Sequence, residues 1–421
     1  MGTVLDVAEK MWNGELGGAH VMRSPSALVS GFLGLDEVAR GVAFVGSFAN
    51  VTAIATDEGL VLVDVGSPLL AARVRESIRG WTDARVHTAV YTHGHVDHVF
   101  GFGAYEEEAK QHGWSAPVLL AHEAVPRRFD RYRMTAGYNG HINMRQFALP
   151  VPMFPTEFRY PDRTFTDRHV LEIGGERIEI QHARGETDDH AYVWLPSRRV
   201  LATGDLFIWA APNCGNPQKV QRYPLEWAQA LRQMAALQPE VLCPGHGPPI
   251  LGADRVAQAL SESAELLESL HAQTIAAMNT GARLDEVLQT VKAPAHLLAR
   301  PYLRPVYDQP EFIVHNLWRL YGGWYDGNPA HLEPAPERAL ARELAALAGG
   351  AAKLIERAQA LAESGELALA CHLAEHAWLA SDDEAIAKAR GEIYKRRAEA
   401  AGSLMATGIY EAAAREPKRP G

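Results

Sequence analysis

The stretch Tyr91-Thr92-His93-Gly94-His95-Val96-Asp97-His98 sets three imidazoles and a carboxylate within six residues, directly after an apolar run that reads as a strand. Neutral imidazole nitrogen and carboxylate oxygen are good ligands for zinc and similar divalent ions. Side chains alternate along a strand, so His93 and His95 project to one side of a strand-to-loop junction. Asp97 and His98 sit one step further on, where the chain turns and can reach a second ion about 3.5–4 Å from the first. Partner residues recur downstream, which a loop of merely solvated polar groups would not require.

The composition places this cluster in an ordinary globular protein. Of 421 residues, 47% are hydrophobic and 22% charged, enough for two or three domains with their own cores. A net charge of −10 argues against a general nucleic-acid partner. The sequence shows no basic head followed by an apolar core at its start, and no apolar run long enough for a membrane span. Cys214, Cys243 and Cys371 are too few and too scattered for a disulfide framework. The reading is a cytoplasmic protein with no membrane partner.

Around the cluster, short β-branched runs over 42–45, 51–55, 60–65 and 86–91 read as strands, with a helix over 68–80. The aromatic- and Pro-rich segment 103–162 reads as less regular, forming lids and walls. Strand signals return over 170–173 and 178–180, joined by Gly174-Gly175, then over 191–195, 200–202 and 241–243, with a helix near 225–237. Strands interleaved with helices, and polar residues at strand ends, imply a layered α/β sandwich with its site at the strand termini. After about residue 251 Ala, Leu, Glu and Arg dominate at helical spacing. Helices are expected over 337–348, 350–364, 366–379 and 383–401, serving dimerisation, a pocket wall or stability alone.

Two ions need more than four protein groups. Asp205 closes one strand run, where its carboxylate could bridge two cations, and Pro244-Gly245-His246-Gly247 closes another. Between the histidine cluster and Asp205 lies His182-Ala183-Arg184-Gly185-Glu186-Thr187-Asp188-Asp189-His190, again just after a strand. In that order, His93-Gly94-His95-Val96-Asp97-His98, Gly204-Asp205 and Pro244-Gly245-His246 make the chain resemble the metallo-β-lactamase superfamily. The resemblance implies an αββα sandwich followed by an all-α C-terminal domain. The expected divisions are an N-terminal extension over 1–40, a catalytic domain over 41–255, a connecting region over 256–335 and an all-α dimerisation domain over 336–421.

Most superfamily members carry a histidine in the middle motif, where this chain has Gly185-Glu186-Thr187. The alkylsulfatase branch has a glutamate ligand there. Tyr302-Leu303-Arg304-Pro305, His315-Asn316 and Gly323-Trp324-Tyr325-Asp326-Gly327-Asn328-Pro329 are similar to the start of that branch's helical dimerisation domain. Carried over, the resemblance implies that His93, His95 and Glu186 hold one ion and Asp97, His98 and His246 the other, with Asp205 between them. His182 or His190 stands as the alternative to Glu186. Otherwise both are supporting or substrate-contacting groups, and His190 is a candidate general acid.

The same resemblance implies a hydrolase of a small anionic ester, favouring sulfate esters, with a hydroxide shared by two divalent metal ions as nucleophile. Zinc suits the histidines; manganese or iron would suit the oxygen-rich set. Asp97, His190 and Arg222 are the catalytic candidates. Arg222 stands five residues before Trp227, where alkylsulfatases carry a sulfate-binding arginine, and its planar fork suits an oxyanion. Asn216, Lys219 and Arg145 are further substrate contacts. Alkylsulfatases usually have glutamate in place of Asp205 and a lipid-carrier-like domain after the helices, which leaves a preference for long alkyl chains open. A thioesterase or lactonase of glyoxalase II type, or an iron-dependent redox enzyme, is the alternative, and the partner is a second copy through the C-terminal helices.

Overall fold

The computed structural model describes residues 3–16 and 32–416. The chain divides into two compact units, one of residues 1–139 and 154–323, the other of residues 140–153 and 324–421. The first unit holds two sheets. In one, β1 (Gly34–Ala39), β2 (Val42–Gly46), β3 (Val51–Thr56), β4 (Gly59–Val63), β5 (Val86–Val90), β6 (Val118–His122) and β7 (Arg163–Phe165) lie side by side in sequence order. The first four strands are antiparallel, and β4 to β7 run parallel. The other sheet is ordered β13 (Ile250–Leu251), β12 (Val241–His246), β11 (Val200–Ile208), β10 (Ala191–Leu195), β9 (Glu176–His182) and β8 (Arg168–Ile173).

Period-two alternation explains why two helix layers flank these sheets. On β2 and β4, Val42, Phe44, Val61 and Val63 point inward to meet Ile178, Ile180, Val193 and Cys243 of the second sheet. Their neighbours Ala43, Val45, Leu60 and Leu62 point outward, against Val74, Ile78, Phe102 and Phe129 of helices Ala71–Trp81, Phe102–His112 and Ala124–Met134. Leu201, Leu206 and Leu242 face outward from the second sheet toward helices Pro224–Ala236 and Ala253–Asn279. The result is an αββα sandwich, and strands buried on both faces read as continuous apolar runs.

Three stretches differ from the sequence reading. Helix Val4–Trp12 and strand β1 fall in the part expected as an extension. The helix opens on a capping box between Thr3 and Asp6, and buries Val4 and Met11. Segment 103–162 contains β6 and the helices Ala124–Met134 and Ala136–Phe147 rather than irregular walls. There Val125, Phe129 and Tyr132 form a buried face of i, i+4, i+7 spacing, hidden in the sequence by intervening arginines. Finally, helix Ala253–Asn279 belongs to the sandwich itself, since Val256, Leu260 and Leu267 bury against the second sheet's outer face.

The second unit, taken by itself, contains helices Glu337–Ala348, Ala351–Glu363, Leu367–Ala380, Glu384–Glu399 and Leu404–Arg415. Leu354, Ile355, Ala374, Trp378, Ile386 and Ile393 form its core. Arg390 is buried there, paired with Glu375 and 4.1 Å over the Trp378 ring. Among the described residues no helix is long and apolar enough to cross a membrane.

One buried amide ties the two sheets together. Asn50, just before β3, donates from Nδ2 to the carbonyls of Pro244 (2.9 Å) and Gly247 (2.7 Å), and its Oδ1 accepts from the Ser47 N–H at 3.0 Å. Asn50→Ala leaves three buried backbone groups without partners, a cost on the order of 3 kcal/mol. Urea denaturation of the variant is expected to show that loss; an unchanged midpoint and slope would contradict this role.

Candidate metal centre

Strand β5 ends at Val90, and the next eight residues turn across the sheet end. Tyr91 continues the pairing to the Leu120 carbonyl, and its hydroxyl donates to the Val99 carbonyl at 3.0 Å. Asp64, in the left-handed region at φ 60°, organises the loop from the end of β4. Its Oδ1 accepts from the Thr92 N–H at 2.7 Å, and its Oδ2 meets the Thr92 hydroxyl and His98 Nδ1, both at 2.8 Å. His93 Nδ1 lies 3.0 Å from the same hydroxyl, and His246 Nδ1 faces the Phe48 carbonyl. In each case the partner on Nδ1 fixes the ring and leaves Nε2 directed inward.

These inward atoms converge in two groups. His93, His95, Glu186 and Asp205 form one and Asp97, His98 and His246 the other, each with ligand atoms within 4.8 Å of one another. In the first, Glu186 Oε2 is 3.5 Å from His93 Nε2 and 3.3 Å from His95 Nδ1. In the second, His246 Nε2 is 3.4 Å from Asp97 Oδ2. Asp205 reaches across: Oδ1 lies 3.3 Å from His98 Nε2, while Oδ2 lies 3.3 Å from His246 Nε2 and 3.8 Å from His93 Nε2. Strand β12 passes so close that a Cβ on Gly245 would lie 2.0 Å from Asp205 Oδ1, which explains the glycine before His246.

The donor set fits divalent cations. His98 Nε2, Glu186 Oε2 and Asp205 Oδ1 are buried without a hydrogen-bond partner, and all three point into the cluster. Unpartnered buried polar atoms are costly, and lone pairs facing one another call for positive charge. The proton affinities say the same. Burial disfavours a charged His246, yet Asp205 and Asp97 outweigh it and raise its pKa to about 10. Burial would push Asp205 up, but His246 and His98 hold it well below the usual carboxylate range. For His93 burial and its imidazole neighbours act together and hold it well below the ordinary histidine value. Nitrogen and oxygen donors in these proportions suit zinc, manganese or iron.

The middle motif resolves as follows. Glu186 joins the first group, whereas His182 and His190 join neither. His182 stacks on His122 with ring centroids 3.9 Å apart, its Nε2 3.0 Å from the Asp188 carbonyl. His190 is wholly buried, stacks on His93 at 4.5 Å, and accepts the Asp205 N–H at Nε2 over 3.0 Å. Burial lowers its pKa to about 4. In that placement His190 lies against His93 and holds the Asp205 N–H, while its Nδ1 is buried without a hydrogen-bond partner.

Arg222 lies beside the Glu186 carboxylate. It is buried, and its Nη1 lies 2.5 Å from Glu186 Oε1 and bonds the Asn213 carbonyl. The guanidinium braces the Glu186 carboxylate. Lys219 is half-buried and lies in the field of Asp97 and Glu186; burial first, then Arg222, lowers its pKa to about 8. Asn216 is buried, and its Oδ1 accepts from the Gln218 N–H at 3.0 Å in the turn leading to Lys219. Arg145 belongs to the second unit.

Several supporting residues carry no sequence signal. Asn213 donates to Glu186 Oε1 at 2.6 Å from 27 positions away. Arg128 pairs with Asp189 Oδ2 at 2.5 Å, and that oxygen accepts the Gly94 N–H at 3.2 Å, bracing the loop between His93 and His95. Both partnerships form only on folding, so no local spacing announces them.

Comparison with known proteins follows this geometry. Residues 45–246 match the metallo-β-lactamase superfamily, and residues 283–419 match the alkyl sulfatase dimerisation family. A linear primary-alkylsulfatase from Pseudomonas is 28% identical over 80% of this chain and 67% of its own length. An (R)-specific secondary-alkylsulfatase from Pseudomonas is 25% identical over 78% of this chain and 53% of its own length. The solved structure of the inverting sec-alkylsulfatase Pisa1 from Pseudomonas shares the fold, with a TM-score of 0.81 at 21% identity, covering 91% of this chain and 66% of that one. The chain thus spans about half to two thirds of the length of these relatives. Residues 45–246 therefore carry a metallo-β-lactamase superfamily domain, joined to an alkyl sulfatase dimerisation domain over residues 283–419.

Proposed function

We propose that this chain is a metal-dependent hydrolase of sulfate esters. The observation that carries the reading is the carboxylate Glu186 in the first ligand group, in a chain whose residues 283–419 match the alkyl sulfatase dimerisation family. In this reading His93, His95 and Glu186 hold one divalent ion, Asp97, His98 and His246 the other, and Asp205 contributes to both, with zinc the favoured metal. Such ions act as Lewis acids that lower the pKa of bound water to about 7 and stabilise developing negative charge.

The chain's own residues do the rest. Asp64 and the Phe48 carbonyl hold His98 and His246 in the tautomer that frees Nε2. Lys219, in the field of Asp97 and Glu186, supplies positive charge for the anionic head, with Asn216 shaping its turn. Asp205, shorter than the glutamate the alkylsulfatase resemblance implies, favours a second reading in which an acyl thioester or lactone is the substrate. The three cysteines are free, consistent with a cytoplasmic location. Seven residues apart on one helix, Leu340 and Leu347 are both exposed, and we assign this face to contact with a second copy.

Purified chain is expected to release inorganic sulfate from short primary or secondary alkyl sulfates, and to lose this activity on treatment with a chelator. Turnover of a thioester or lactone with no sulfate release from any sulfate ester would overturn the reading. His93→Ala should cost more kcat/KM than the roughly 10–100-fold typical of removing an outer partner of a metal ligand. Full activity in that variant would contradict the metal assignment itself. By sedimentation the chain should run as a dimer that Leu347→Glu weakens; a monomer at every concentration would exclude this face as an interface.

A further inference from the structure

Glu186 turns one carboxylate oxygen toward the first ligand group and the other away from it. Its Oε1 is held by two donors, Asn213 Nδ2 at 2.6 Å and Arg222 Nη1 at 2.5 Å. Oε2 is left buried without a partner, 3.5 Å from His93 Nε2 and 3.3 Å from His95 Nδ1. The two donors are themselves coupled, since Arg222 Nη1 also bonds the Asn213 backbone carbonyl.

What holds the donors comes from far along the chain. Asn316, on helix Pro310–Gly322, donates from Nδ2 to the Arg222 carbonyl at 2.9 Å, and its Oδ1 accepts the Arg222 N–H at 3.4 Å. Asp308, wholly buried just before that helix, accepts the Gly215 N–H at 2.5 Å and the Gln309 N–H at 2.8 Å. Gly215 is pressed against the same helix, where an added Cβ would lie 2.1 Å from the Phe312 carbonyl carbon. The loop that carries Asn213 and Arg222 is therefore pinned at both ends by residues 308–316.

We propose that Asn213 and Arg222 are positioning residues that restrict Glu186 to one free oxygen, selectively tightening the ion site of His93 and His95, with Asp308 and Asn316 holding the pair in place. This rests on the two-ion reading above. It gives Arg222 a duty toward the metal ligand, which its burial and short ion pair support, and makes the two ion sites unequal in their dependence on this pair. Among the described residues Asp97, which is partly exposed, meets His246 and His98 of its own group but no such pair of outside side-chain donors.

Chelator competition with zinc, read by a fluorescent indicator on the metal-depleted full chain, separates the outcomes. The wild type should show two binding phases. Asn213→Ala and Arg222→Lys should each weaken one phase by about 10–100-fold and leave the other unchanged. Asp308→Asn should shift the same phase by a smaller factor. Both phases unchanged, or both weakened equally, would overturn the proposal. Loss of the folded circular-dichroism spectrum in both variants would overturn it too, because the pair would then be structural. A wild type that binds no zinc would fail at the metal-centre reading, and that result is distinct from either of these.

Discussion

Everything at this site depends on a single buried carboxylate, Asp205, that reaches from one sheet to the imidazoles of the other. It is 5% exposed, lies between two groups of ligand atoms, and keeps Oδ1 without a hydrogen-bond partner. A charge in that position is stable only if positive charge sits on both sides of it. The fold brings His93 and His98 from the end of β5 and His246 from the end of β12 against it, and of these His98 and His246 are pushed toward the charged form by the carboxylates around them. Gly245 gives up a side chain so that the strand can pass the carboxylate, and His190 takes the Asp205 N–H so that its backbone is not orphaned.

The sandwich supplies the rigidity this requires. Both sheets are apolar on both faces, so the strands are held from two sides while their ends remain free to carry polar groups. Parallel neighbours β4–β5 and β11–β12 deliver those ends to one rim, where Asp64, the histidine loop, Asp205 and His246 meet. Asn50 then stitches the rim across the sheets. Outer partners of this kind orient ligands and set their tautomers, so they belong to the site as much as the ligands do.

How much of this could be read from sequence follows from how local each feature is. The strand-end ligands are legible because side-chain alternation and the turn after a strand fix their direction within a few residues, and Asp64 and Asn50 stand beside strands that place them. Glu186 is legible only by resemblance, since its neighbours His182 and His190 are as good ligands by type. Asn213, Arg128 and Asp308 are not legible, because their partners lie 27, 61 and 93 positions away. Helix Ala124–Met134 is obscured because its four arginines, one of them buried against Asp189, break the apolar stripe. Arg222 shows the same limit: an arginine near a metal cluster suits an oxyanion or a carboxylate equally well, and the carboxylate it pairs with, Glu186, lies 36 positions away.

The central claim is that this chain holds two ions which share Asp205. Anomalous diffraction from crystals of the metal-loaded protein tests it most directly. The account predicts two peaks about 3.5–4 Å apart, one among His93, His95, Glu186 and Asp205, the other among Asp97, His98, His246 and Asp205. A single peak, or a first ion that does not contact Glu186, would contradict it.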